Sequence, residues 1–383
     1  MKDKLFVITP RLPYPPIGGD KLRIYNICKV LSKDYDLVLY STCESKDELD
    51  IIDQESVFSE CNVYYLPKWK SYLNMLKAIV KRMPLQAYYY YSSSLHKELK
   101  KAIKSDDKAL CHLIRTSLYL DDFCGHKVIE LTDAISLNYS RFIEHSKKIR
   151  TLQDLAYHYD AKKLLDYERK CLENFHSSFV ISDVDKDHLS KLSNKEPLVV
   201  TNGVNVNDLP YEYAPAGNII IFIGNMYSVQ NFDAAYWFAK FVVPILPKDY
   251  CFKVIGKIPI KSKIALESLD RVKCTGQVES IVSEAHGAKY AVCPMRIGAG
   301  VQNKILEYMS LGIPVITSDV GLEGISCEVN KDVLIANTEE EYLNIVNSYS
   351  ESELRDLSMS ARCFVENEHS WDAVLRSYKL SFA

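Results

Sequence analysis

The chain has 383 residues, of which 47% are hydrophobic and 25% charged, and its formal net charge is −3. This composition is sufficient for two folded domains, argues against global disorder, and gives no overall basic signal for nucleic acid. The 11 cysteines form no CxxC pair, which argues against a structural zinc site or a disulfide framework and for a reducing compartment. The apolar runs are too short for a signal peptide or a membrane span. We therefore expect a cytoplasmic protein.

The first half of the chain alternates short apolar runs with helical segments. An apolar run at residues 5–9 leads into a Pro- and Gly-rich loop at 10–19, a helix is predicted over 21–32, and a strand over 37–40. This βαβ order predicts a parallel sheet. The remaining elements predicted in this half are strands at 63–66, 110–114, 128–131 and 178–181 and a long helix at 147–174.

The same pattern restarts in the second half. Residues 218–224 give the strongest strand signal, ending in glycine, and a helix is predicted over 231–243. The strands predicted to follow it lie at 252–256, 272–276, 290–293 and 315–316. Two α/β halves joined near 205–217 explain this order.

The stretch 296–318, RIGAGVQNKILEYMSLGIPVITS, carries the clearest functional signal. A loop containing Gly298, Ala299 and Gly300 precedes a helix predicted over 301–311, which Gly312 caps before a buried strand at 313–316. Glycines let the backbone approach a ligand closely, and a helix N-terminus presents free N–H groups and a positive dipole end. This arrangement predicts an anion site suited to a diphosphate.

Two charged residues lie in the same predicted helix. Lys304 and Glu307 are three residues apart and therefore share a helix face. They either form a surface ion pair or bind a ligand as a cation and a hydroxyl-binding carboxylate. Beside a phosphate site, the second interpretation predicts a nucleotide-sugar.

The segment 67–104 mixes basic and aromatic side chains, among them Lys68, Trp69, Lys70, Tyr72 and a tyrosine run at 88–91. A basic-aromatic surface of this kind is suited to anionic lipid, which would place the protein on the inner face of the cell membrane. The other interpretation is a solvated pair of helices with a tyrosine-rich packing edge.

Several stretches, in order along the chain, resemble one family. They are 15–23 (PPIGGDKLR), 167–189, 200–205 (VTNGVN), 222–238 (FIGNMYSVQNFDAAYWF), 254–259 (VIGKIP), 296–318 and 369–378 (HSWDAVLRSY). Together they resemble the retaining GT-B glycosyltransferases of the family-4 type, the glycosyl transferases group 1. Residues 51–127, where an acceptor would be expected to bind, match this family least.

The resemblance implies an α/β protein with the GT-B fold, in which two Rossmann-like domains with parallel sheets face each other across a cleft. The implied domains are an acceptor-side domain at 1–205, a donor domain at 206–365 and a C-terminal helix at 366–383 that packs back on the first domain.

The resemblance also implies a reaction. A sugar moves from a nucleotide-diphosphate donor, such as a UDP-sugar, to a hydroxyl of a glycan or lipid-linked acceptor, with retention and with neither metal nor cofactor. Surface polysaccharide or glycoconjugate biosynthesis is the expected setting. Which base, sugar, acceptor and linkage are used stays open, as does the oligomeric state.

Glu307 matches the second glutamate of the family's E-x7-E motif, which holds the ribose hydroxyls. A carboxylate accepts two hydrogen bonds and suits a vicinal diol. Ala299 stands where the family has its first glutamate, the residue that contacts the sugar. The main-chain N–H groups of Gly298, Ala299, Gly300 and Val301, together with Arg296, are therefore expected to bind more of the donor.

Lys304, Arg296 and Lys257 are the candidates for binding the diphosphate, where a fixed cation stabilises the charge of the leaving group. The family often has an Arg and a Lys after the first donor strand, and this chain has Gly224 and Asn225 instead. Asn225 is expected to donate a hydrogen bond to a phosphate or to the base. Asn231 either does the same or serves a turn or an N-cap.

In the first half, Gly18 and Gly19 form the loop that in the family approaches the donor or the acceptor, although a plain turn also explains them. Arg23, one turn later, is expected to face the cleft. Asp133 follows the strand at 128–131 and either orients an acceptor hydroxyl or caps the next helix. Weaker candidates nearby are Ser136, Tyr139 and Arg141.

The DxD sequence at Asp183–Asp185 is explained by the start of a helix, and no HxxH or HExxH pair supports a zinc hydrolase. Two alternatives keep the same fold. One is a nucleotide-sugar epimerase, for which we find no convincing set of acid and base residues. The other is a catalytically silent GT-B subunit that supports a partner, which the Ala299 substitution and the missing cation pair keep open. A dehydrogenase is disfavoured because no GxGxxG follows either opening strand.

Overall fold

The computed structural model of the chain describes residues 2–16, 19–49, 57–145, 152–296 and 301–382. The chain divides into two compact units, Met1–Asn202 with Val374–Ala383, and Gly203–Ala373. The first unit thus ends three residues before the boundary that we predict at 205/206. The predicted C-terminal segment 366–383 is divided between the units, because residues up to Ala373 belong to the second unit.

The first unit is built on a seven-stranded parallel sheet. Its strands are β1 (Asp3–Thr9), β2 (Tyr35–Cys43), β3 (Glu60–Tyr65), β4 (Lys108–His112), β5 (His126–Thr132), β6 (Ser177–Val180) and β7 (Leu198–Val199). The order across the sheet is β3-β2-β1-β4-β5-β6-β7. Leu5 of β1 pairs with Leu37 of β2 and with Lys108 of β4, and the inner part of β1 is buried, as expected for a central parallel strand.

The helices of the first unit connect these strands. They are α1 (Gly19–Leu31), α2 (Lys68–Val80), α3 (Leu85–Tyr89), α4 (Ser93–Ala102), α5 (Ile135–His145), α6 (Leu152–Asn174) and α7 (Asp183–Ser190). Short 3-10 segments lie at Asp47–Leu49 and Ile114–Leu120. The predicted long helix at 147–174 corresponds to α6, although residues 146–151 lie outside the described part of the chain.

The second unit has a six-stranded parallel sheet in the order β10-β9-β8-β11-β12-β13. Its strands are β8 (Ile219–Ile223), β9 (Cys251–Ile255), β10 (Val272–Gly276), β11 (Tyr290–Cys293), β12 (Val315–Thr317) and β13 (Leu334–Ile335). The apolar run at 218–224 thus forms a central strand, and Ile220 to Ile223 are buried. The two parallel sheets confirm the prediction of two Rossmann-like α/β domains.

The helices of the second unit follow its strands. They are α8 (Val229–Trp237), α9 (Ile260–Glu267), α10 (Ile281–Ala285), α11 (Asn303–Leu311), α12 (Asp319–Leu322), α13 (Glu339–Ser348), α14 (Glu351–Phe364) and α15 (Trp371–Val374). A π-helical turn at Phe238–Val242 and a 3-10 turn at Val243–Ile245 extend α8. The sequence analysis predicts the region of α8 as one helix over 231–243 and does not identify α13, α14 or β13.

The first and last segments of the second unit pair with each other. Val204 and Ser370 form an isolated parallel bridge, and the N–H of Val204 donates to the carbonyl oxygen of His369 at 2.7 Å. The chain then returns to the first unit as α16 (Arg376–Ser381), where the ring of Tyr378 stacks on Phe179 with 3.8 Å between ring centroids. None of the helices in the described ranges has the length and apolar character needed to cross a lipid bilayer.

Candidate functional site

The carboxyl ends of β8 and β11 lie side by side at the centre of the second sheet. From β8 the chain continues to β9 and β10 on one side of the sheet, and from β11 it continues to β12 and β13 on the other side. The connections that follow β8 and β11 therefore run in opposite directions. Open parallel sheets bind ligands outside the carboxyl ends of their strands at such a point. The predicted donor residues follow β8, β9 and β11, and the fold therefore brings them to one edge.

The loops after β8 and β9 pack backbone to backbone. Gly256 has a φ of +130°, and a Cβ atom at this position would overlap the carbonyl oxygen of Gly224. The N–H of Gly224 donates to Ile255 at 2.9 Å, and the N–H of Met226 donates to the carbonyl oxygen of Lys257 at 2.8 Å. These contacts fix the position of Gly224 at the edge of the sheet.

Asn225 shapes the turn that leads into α8. Its side-chain oxygen accepts from the N–H of Tyr227 at 3.1 Å, and its carbonyl oxygen accepts from the side-chain amide of Asn231 at 3.1 Å. Asn231 is the third residue of α8, and Ser228 occupies the N-cap position, so an N-cap role for Asn231 is wrong. The predicted hydrogen bond from Asn225 to a donor stays a prediction.

Lys304 lies in the first turn of α11 and is half-buried. Its ammonium donates to Asn231 Oδ1 at 2.6 Å, lies 3.9 Å from Met295 Sδ, and sits 4.7 Å from the ring centroid of Phe222. Burial lowers the pKa of Lys304. An ammonium has three donor hydrogens, and within the described residues only one of them bonds to an oxygen, so Lys304 keeps donor capacity for a ligand.

Glu307, one turn after Lys304, is also half-buried. Among the residues that the structure describes, its carboxylate forms neither a salt bridge nor a side-chain hydrogen bond, so the surface ion pair with Lys304 is not formed. Burial raises the pKa of Glu307, and the charge of Lys304 opposes this effect. A half-buried carboxylate with unused acceptor capacity suits the two hydroxyls of a vicinal diol.

The helix carrying both residues is fixed by its buried face. Ile305, Leu306 and Met309 are fully buried, and the Tyr308 hydroxyl accepts the N–H of Ile223 at 2.6 Å. This last bond links α11 to the carboxyl end of β8. Gly312, with a φ of +81°, ends the helix as predicted.

The start of α11 differs from the prediction. The helix begins at Asn303 rather than at Val301, and Gln302 at the N-cap has a non-helical backbone and makes no side-chain capping bond. Val301 is half-buried against the core of the unit. Gly298, Ala299 and Gly300 lie outside the described residues, so their contacts with a diphosphate stay predictions.

Arg296 has a partner that the sequence analysis does not identify. Its guanidinium donates to Asp233 of α8 at 3.1 Å and 2.7 Å, and it lies 5.9 Å from the ring centroid of Trp237. The hydrogen bond to Asp233 raises the pKa of Arg296. The role of Arg296 at the diphosphate stays a prediction, and its charge is balanced by Asp233. Lys257, by contrast, is exposed and forms no ion pair within the described part of the chain.

Ser318 supports the loop that leads to α11. Its hydroxyl donates to the carbonyl oxygen of Met295 at 2.6 Å and accepts from the N–H of Gly321 at 3.1 Å, which makes it the N-cap of α12. The sequence analysis misses this residue, although a serine before Asp319 is a recognisable N-cap signal.

In the first unit, Asp133 follows β5 and is half-buried. Burial, followed by the charges of Asp185 and Glu130, raises its pKa. The N–H groups of Ala134 and Ser136 donate to Asp185 at 2.9 Å and to Glu168 at 3.0 Å. Asp185 and Glu168 therefore accept the N–H groups at the start of α5. The alternative interpretation of Asp133 assigns this helix-capping role to Asp133 itself. The acceptor role of Asp133 stays a prediction.

The two glycines of the first loop are only partly described. Gly18 lies outside the described residues. Gly19 begins α1, and a Cβ atom added to it would contact nothing within 4 Å, so space alone does not require glycine there. A role of either glycine in donor binding stays a prediction.

The expectation that Arg23 faces a cleft is wrong. Its side chain is almost fully buried and donates to both carboxylate oxygens of Glu130, at 3.0 Å and 3.2 Å. It also donates to the carbonyl oxygens of Val200 and Thr201 and to Asn202 Oδ1, at 2.8, 3.1 and 3.1 Å. Arg23 therefore has a structural role inside the first unit.

The weaker candidates near Asp133 make internal contacts. The Ser136 hydroxyl hydrogen-bonds with Glu168 and, at 2.9 Å, with His188, and the Tyr139 hydroxyl accepts from Gln86 at 2.8 Å. The side chain of Arg141 lies outside the described part of the chain. These contacts give Ser136 and Tyr139 structural partners.

The DxD sequence begins α7, as expected. Ser182 is the N-cap, and Asp185 Oδ1 accepts from the N–H of Ala134. In the described ranges, no group of three or more His, Cys, Asp or Glu residues is arranged to hold a metal ion.

His112 is a further residue that the sequence analysis misses. It lies at the carboxyl end of β4 and is almost fully buried, and neither ring nitrogen has a hydrogen-bond partner among the described residues. Burial lowers its pKa to about 3. Its place at the end of a parallel strand is the signal that could have identified it.

Comparisons with known proteins agree with this geometry. Residues 217–350, which hold β8 to β13, match the family described as glycosyl transferases group 1. A Klebsiella pneumoniae protein, described as an uncharacterized 44.6 kDa protein in the cps region, is 21% identical over 396 aligned positions that cover 98% of both chains.

Solved structures extend the similarity to the whole chain. A mutant of S. aureus TarM, in complex with fondaparinux, α-GlcNAc-glycerol and UDP, superposes with a TM-score of 0.64 at 13% identity, over 99% of both chains. Anabaena HepE in complex with UDP-glucose gives a TM-score of 0.62 at 13% identity, over 99% of this chain and 100% of the other. The chain therefore has the GT-B fold, and residues 217–350 of its second unit are similar to the glycosyl transferases group 1.

Proposed function

We propose that the chain is a retaining glycosyltransferase that takes its sugar from a nucleotide-diphosphate donor bound at the carboxyl edge of the second sheet. One observation carries the proposal. Lys304 and Glu307 lie one turn apart on α11, both half-buried, with donor and acceptor capacity that the described residues do not use. Charged groups that are partly buried without a full set of hydrogen-bond partners destabilise the fold, and residues of this kind are typical of sites where a ligand supplies the missing partners.

The donor groups are assigned from this arrangement. Glu307 accepts hydrogen bonds from the ribose hydroxyls, and Lys304 binds a diphosphate oxygen while Asn231 holds the ammonium in position. The N-terminus of α11 and the loop before it present N–H groups to the diphosphate. Lys257 and Arg296 add positive charge near it. HepE in complex with UDP-glucose and TarM in complex with UDP support a UDP-sugar as the donor.

The reaction breaks the bond between the sugar C1 and the diphosphate oxygen and forms a bond from C1 to an acceptor oxygen on the same face. The hydroxyl proton of the acceptor passes to the leaving diphosphate. Lys304 stabilises the negative charge that grows on that diphosphate, a form of catalysis that needs no metal. Asp133 orients the acceptor hydroxyl from the carboxyl end of β5, and its carboxyl group is half-buried there, which raises its pKa.

The acceptor is a hydroxyl of a glycan or of a lipid-linked sugar. Supporting similarities include TarM with α-GlcNAc-glycerol and a lipopolysaccharide outer core galactosyltransferase, WaaB, which gives a TM-score of 0.58 at 13% identity over 99% of both chains. We accordingly propose a role in surface polysaccharide or glycoconjugate biosynthesis, in the cytoplasm. No disulfide joins the cysteines that the structure describes, which fits such a reducing compartment.

The test is binding and turnover of a panel of UDP-, GDP- and other nucleotide-sugars by the purified full-length chain with EDTA present. Binding of one nucleotide class, with slow hydrolysis of the matching sugar, is expected. Glu307→Ala should weaken binding of the nucleotide about ten-fold or more, because two hydrogen bonds to a charged acceptor are lost. Glu340→Ala, an exposed change on α13, is the matched control. A folded protein that binds no donor would rule out the proposal.

A catalytically silent GT-B subunit is the second candidate. Two observations favour it: Ala299 replaces the motif glutamate, and Arg296 is already paired with Asp233. A silent subunit would show neither hydrolysis nor transfer with any donor and acceptor pair, even where it binds a nucleotide. Turnover by the isolated chain excludes it.

A further inference from the structure

Helix α2 of the first unit has its apolar and polar faces reversed. The side chains that it buries are small or polar: Ser71 is 3% exposed, Asn74 8% and Ala78 0%. The large apolar side chains lie on the surface, where Trp69 is 60% exposed, Leu76 60% and Val80 84%. A surface helix normally buries its apolar face. This reversed pattern indicates a helix whose apolar face has a partner outside the unit.

The exposed apolar residues form one continuous stripe, which we call the α2 stripe. Its members are Trp69, Tyr72, Leu73, Leu76, Ile79 and Val80. They are spaced three and four residues apart and cover an arc of roughly 120°, at 100° per residue. Contiguous apolar patches of this kind mark interaction sites.

The charged side chains of α2 itself have a single sign. Every ionisable side chain from Leu66 to Leu85 is basic apart from the Tyr72 hydroxyl, and the basic residues are Lys68, Lys70, Lys77, Lys81 and Arg82. At 100° per residue, Lys70, Lys77 and Lys81 fall together on one border of the stripe, and Lys68 falls on the other. Lys68 lies 3.6 Å from Glu44, whereas Lys70, Lys77 and Lys81 form no salt bridge among the described residues.

Those three lysines also line a groove beside α2 with a volume of about 500 Å³, whose other walls include Tyr65 and Tyr88. The ammonium of Lys81 lies 5.7 Å from the ring centroid of Tyr88, and that of Lys70 lies 5.5 Å from Trp69. Aromatic rings with a polar group and lysines with long apolar stems are the side chains that favour the boundary between water and acyl chains. The groove offers cationic partners to an anionic headgroup.

We propose that the α2 stripe and its lysine border dock the protein onto a bilayer surface that contains anionic lipid. The apolar side chains insert at the level of the headgroups, and Lys70, Lys77 and Lys81 bind phosphate groups of the lipids. Charge complementarity selects this occupant: a second copy of the chain would bring the same cations together, whereas an anionic bilayer provides both an apolar layer and negative charge. Docking does not depend on glycosyl transfer, so the two proposals can fail separately.

The first test is flotation of the full-length protein with vesicles of phosphatidylcholine alone and of phosphatidylcholine with phosphatidylglycerol. Binding to the anionic vesicles is expected, and little binding to the zwitterionic ones. Lys70→Glu with Lys77→Glu should reduce the partition coefficient about ten-fold or more, because each cation near an anionic surface contributes roughly one factor of five. Lys240→Glu with Lys248→Glu, the same charge change at exposed positions of the second unit, is the matched control.

A second test separates insertion from charge attraction. Trp69→Ser with Leu76→Ser keeps every charge and removes two exposed side chains, so the fold is expected to persist, which a thermal melt would verify. Partitioning should again fall about ten-fold or more, since each large apolar side chain that leaves water contributes roughly one factor of ten. The tryptophan emission of the unchanged protein should also shift to the blue with anionic vesicles.

Three results would overturn the proposal. One is equal binding to both kinds of vesicle, or to neither. Another is a loss of binding in the control pair as large as in the α2 pair. The third is a concentration-dependent dimer in light scattering that Trp69→Ser with Leu76→Ser abolishes, which would assign the α2 stripe to a second copy. Nucleotide binding measured on the same variants should stay unchanged.

Discussion

Two clusters of charged residues in this chain differ in how fully their members are hydrogen-bonded. In the first unit, Arg23 and Glu130 are buried together, and the guanidinium has oxygen partners on Glu130, Val200, Thr201 and Asn202. In the second unit, Lys304 has one oxygen partner, Asn231, and Glu307 has none among the described residues.

The difference is the one expected between a structural cluster and the proposed binding site. A buried charge that is fully hydrogen-bonded within the protein has nothing left to offer a ligand, and its removal leaves its partners unpaired. A half-buried charge with spare bonding capacity costs stability until a ligand completes it. Variants of the two clusters should therefore affect different measurements.

The largest effect is expected from Glu130→Ala. The substitution leaves the Arg23 guanidinium buried without its counter-charge, which costs about 3–5 kcal/mol of unfolding free energy. Urea denaturation of the full chain measures it. Asp122→Ala, which breaks the exposed pair with Lys100, is the control and should leave the midpoint unchanged. A loss in Glu130→Ala no larger than in this control would contradict a structural role.

The next effect is expected from Lys304→Met. The ammonium is replaced by an apolar group of similar length, so binding of a nucleoside diphosphate should weaken about ten-fold or more while the fold is kept. Isothermal titration with UDP and GDP measures it. Lys331→Met, at an exposed pair with Glu328, is the control and should bind normally. Unchanged affinity in Lys304→Met would contradict the proposal that the second cluster binds the donor.

Glu168 provides an intermediate case, since it is buried and its carboxylate accepts from the main-chain N–H and the hydroxyl of Ser136. Burial raises its pKa from 4.5 to about 7. Between these values the folded state binds the proton and the unfolded state does not, so the stabilising contribution of Glu168 is fully present below about pH 4.5 and is lost as the pH rises through 7. The loss amounts to roughly 3 kcal/mol at most. Unfolding curves from pH 4.5 to 8 measure this slope, and Glu168→Gln should flatten it. A slope that Glu168→Gln leaves unchanged would assign the effect to other groups.

The smallest effect is expected from Glu307→Gln on stability. Because the carboxylate is half-buried without a partner among the described residues, its neutral isostere should leave the unfolding free energy unchanged or raise it by up to about 1 kcal/mol. The same variant should lose nucleotide affinity, since an amide accepts fewer hydrogen bonds than a carboxylate. A clear loss of stability would mean that Glu307 has a structural partner and would weaken the contrast with Glu130.

The sequence supports the fold more securely than the site. Apolar runs such as 5–9 and 218–224 predict central strands because buried parallel strands are continuously apolar, and both are found as β1 and β8. The helix of Lys304 and Glu307, with its glycine cap at Gly312, is likewise predicted from local signals. Local sequence patterns are therefore sufficient to locate α11 and the preceding strand, β11.

The remaining features depend on contacts between distant parts of the chain. Arg23 pairs with Glu130, which is 107 positions away, and no local pattern reveals that partner. The bonds of Lys304 to Asn231 and of Arg296 to Asp233 also join separate parts of the second unit. The reversed faces of α2 become visible only when burial is known, because the composition of 67–104 allows both a solvated helix and a membrane contact.

The return of the chain to the first unit has a consequence for biosynthesis. Residues 374–383 belong to that unit, and the ring of Tyr378 packs on Phe179 inside it. A ribosome must therefore translate all of the second unit before the first can be completed. The second unit, whose ends meet at Val204 and Ser370, has every strand of its sheet available earlier in translation. The nascent chain thus holds an unfinished first unit until residues 374–383 have been made.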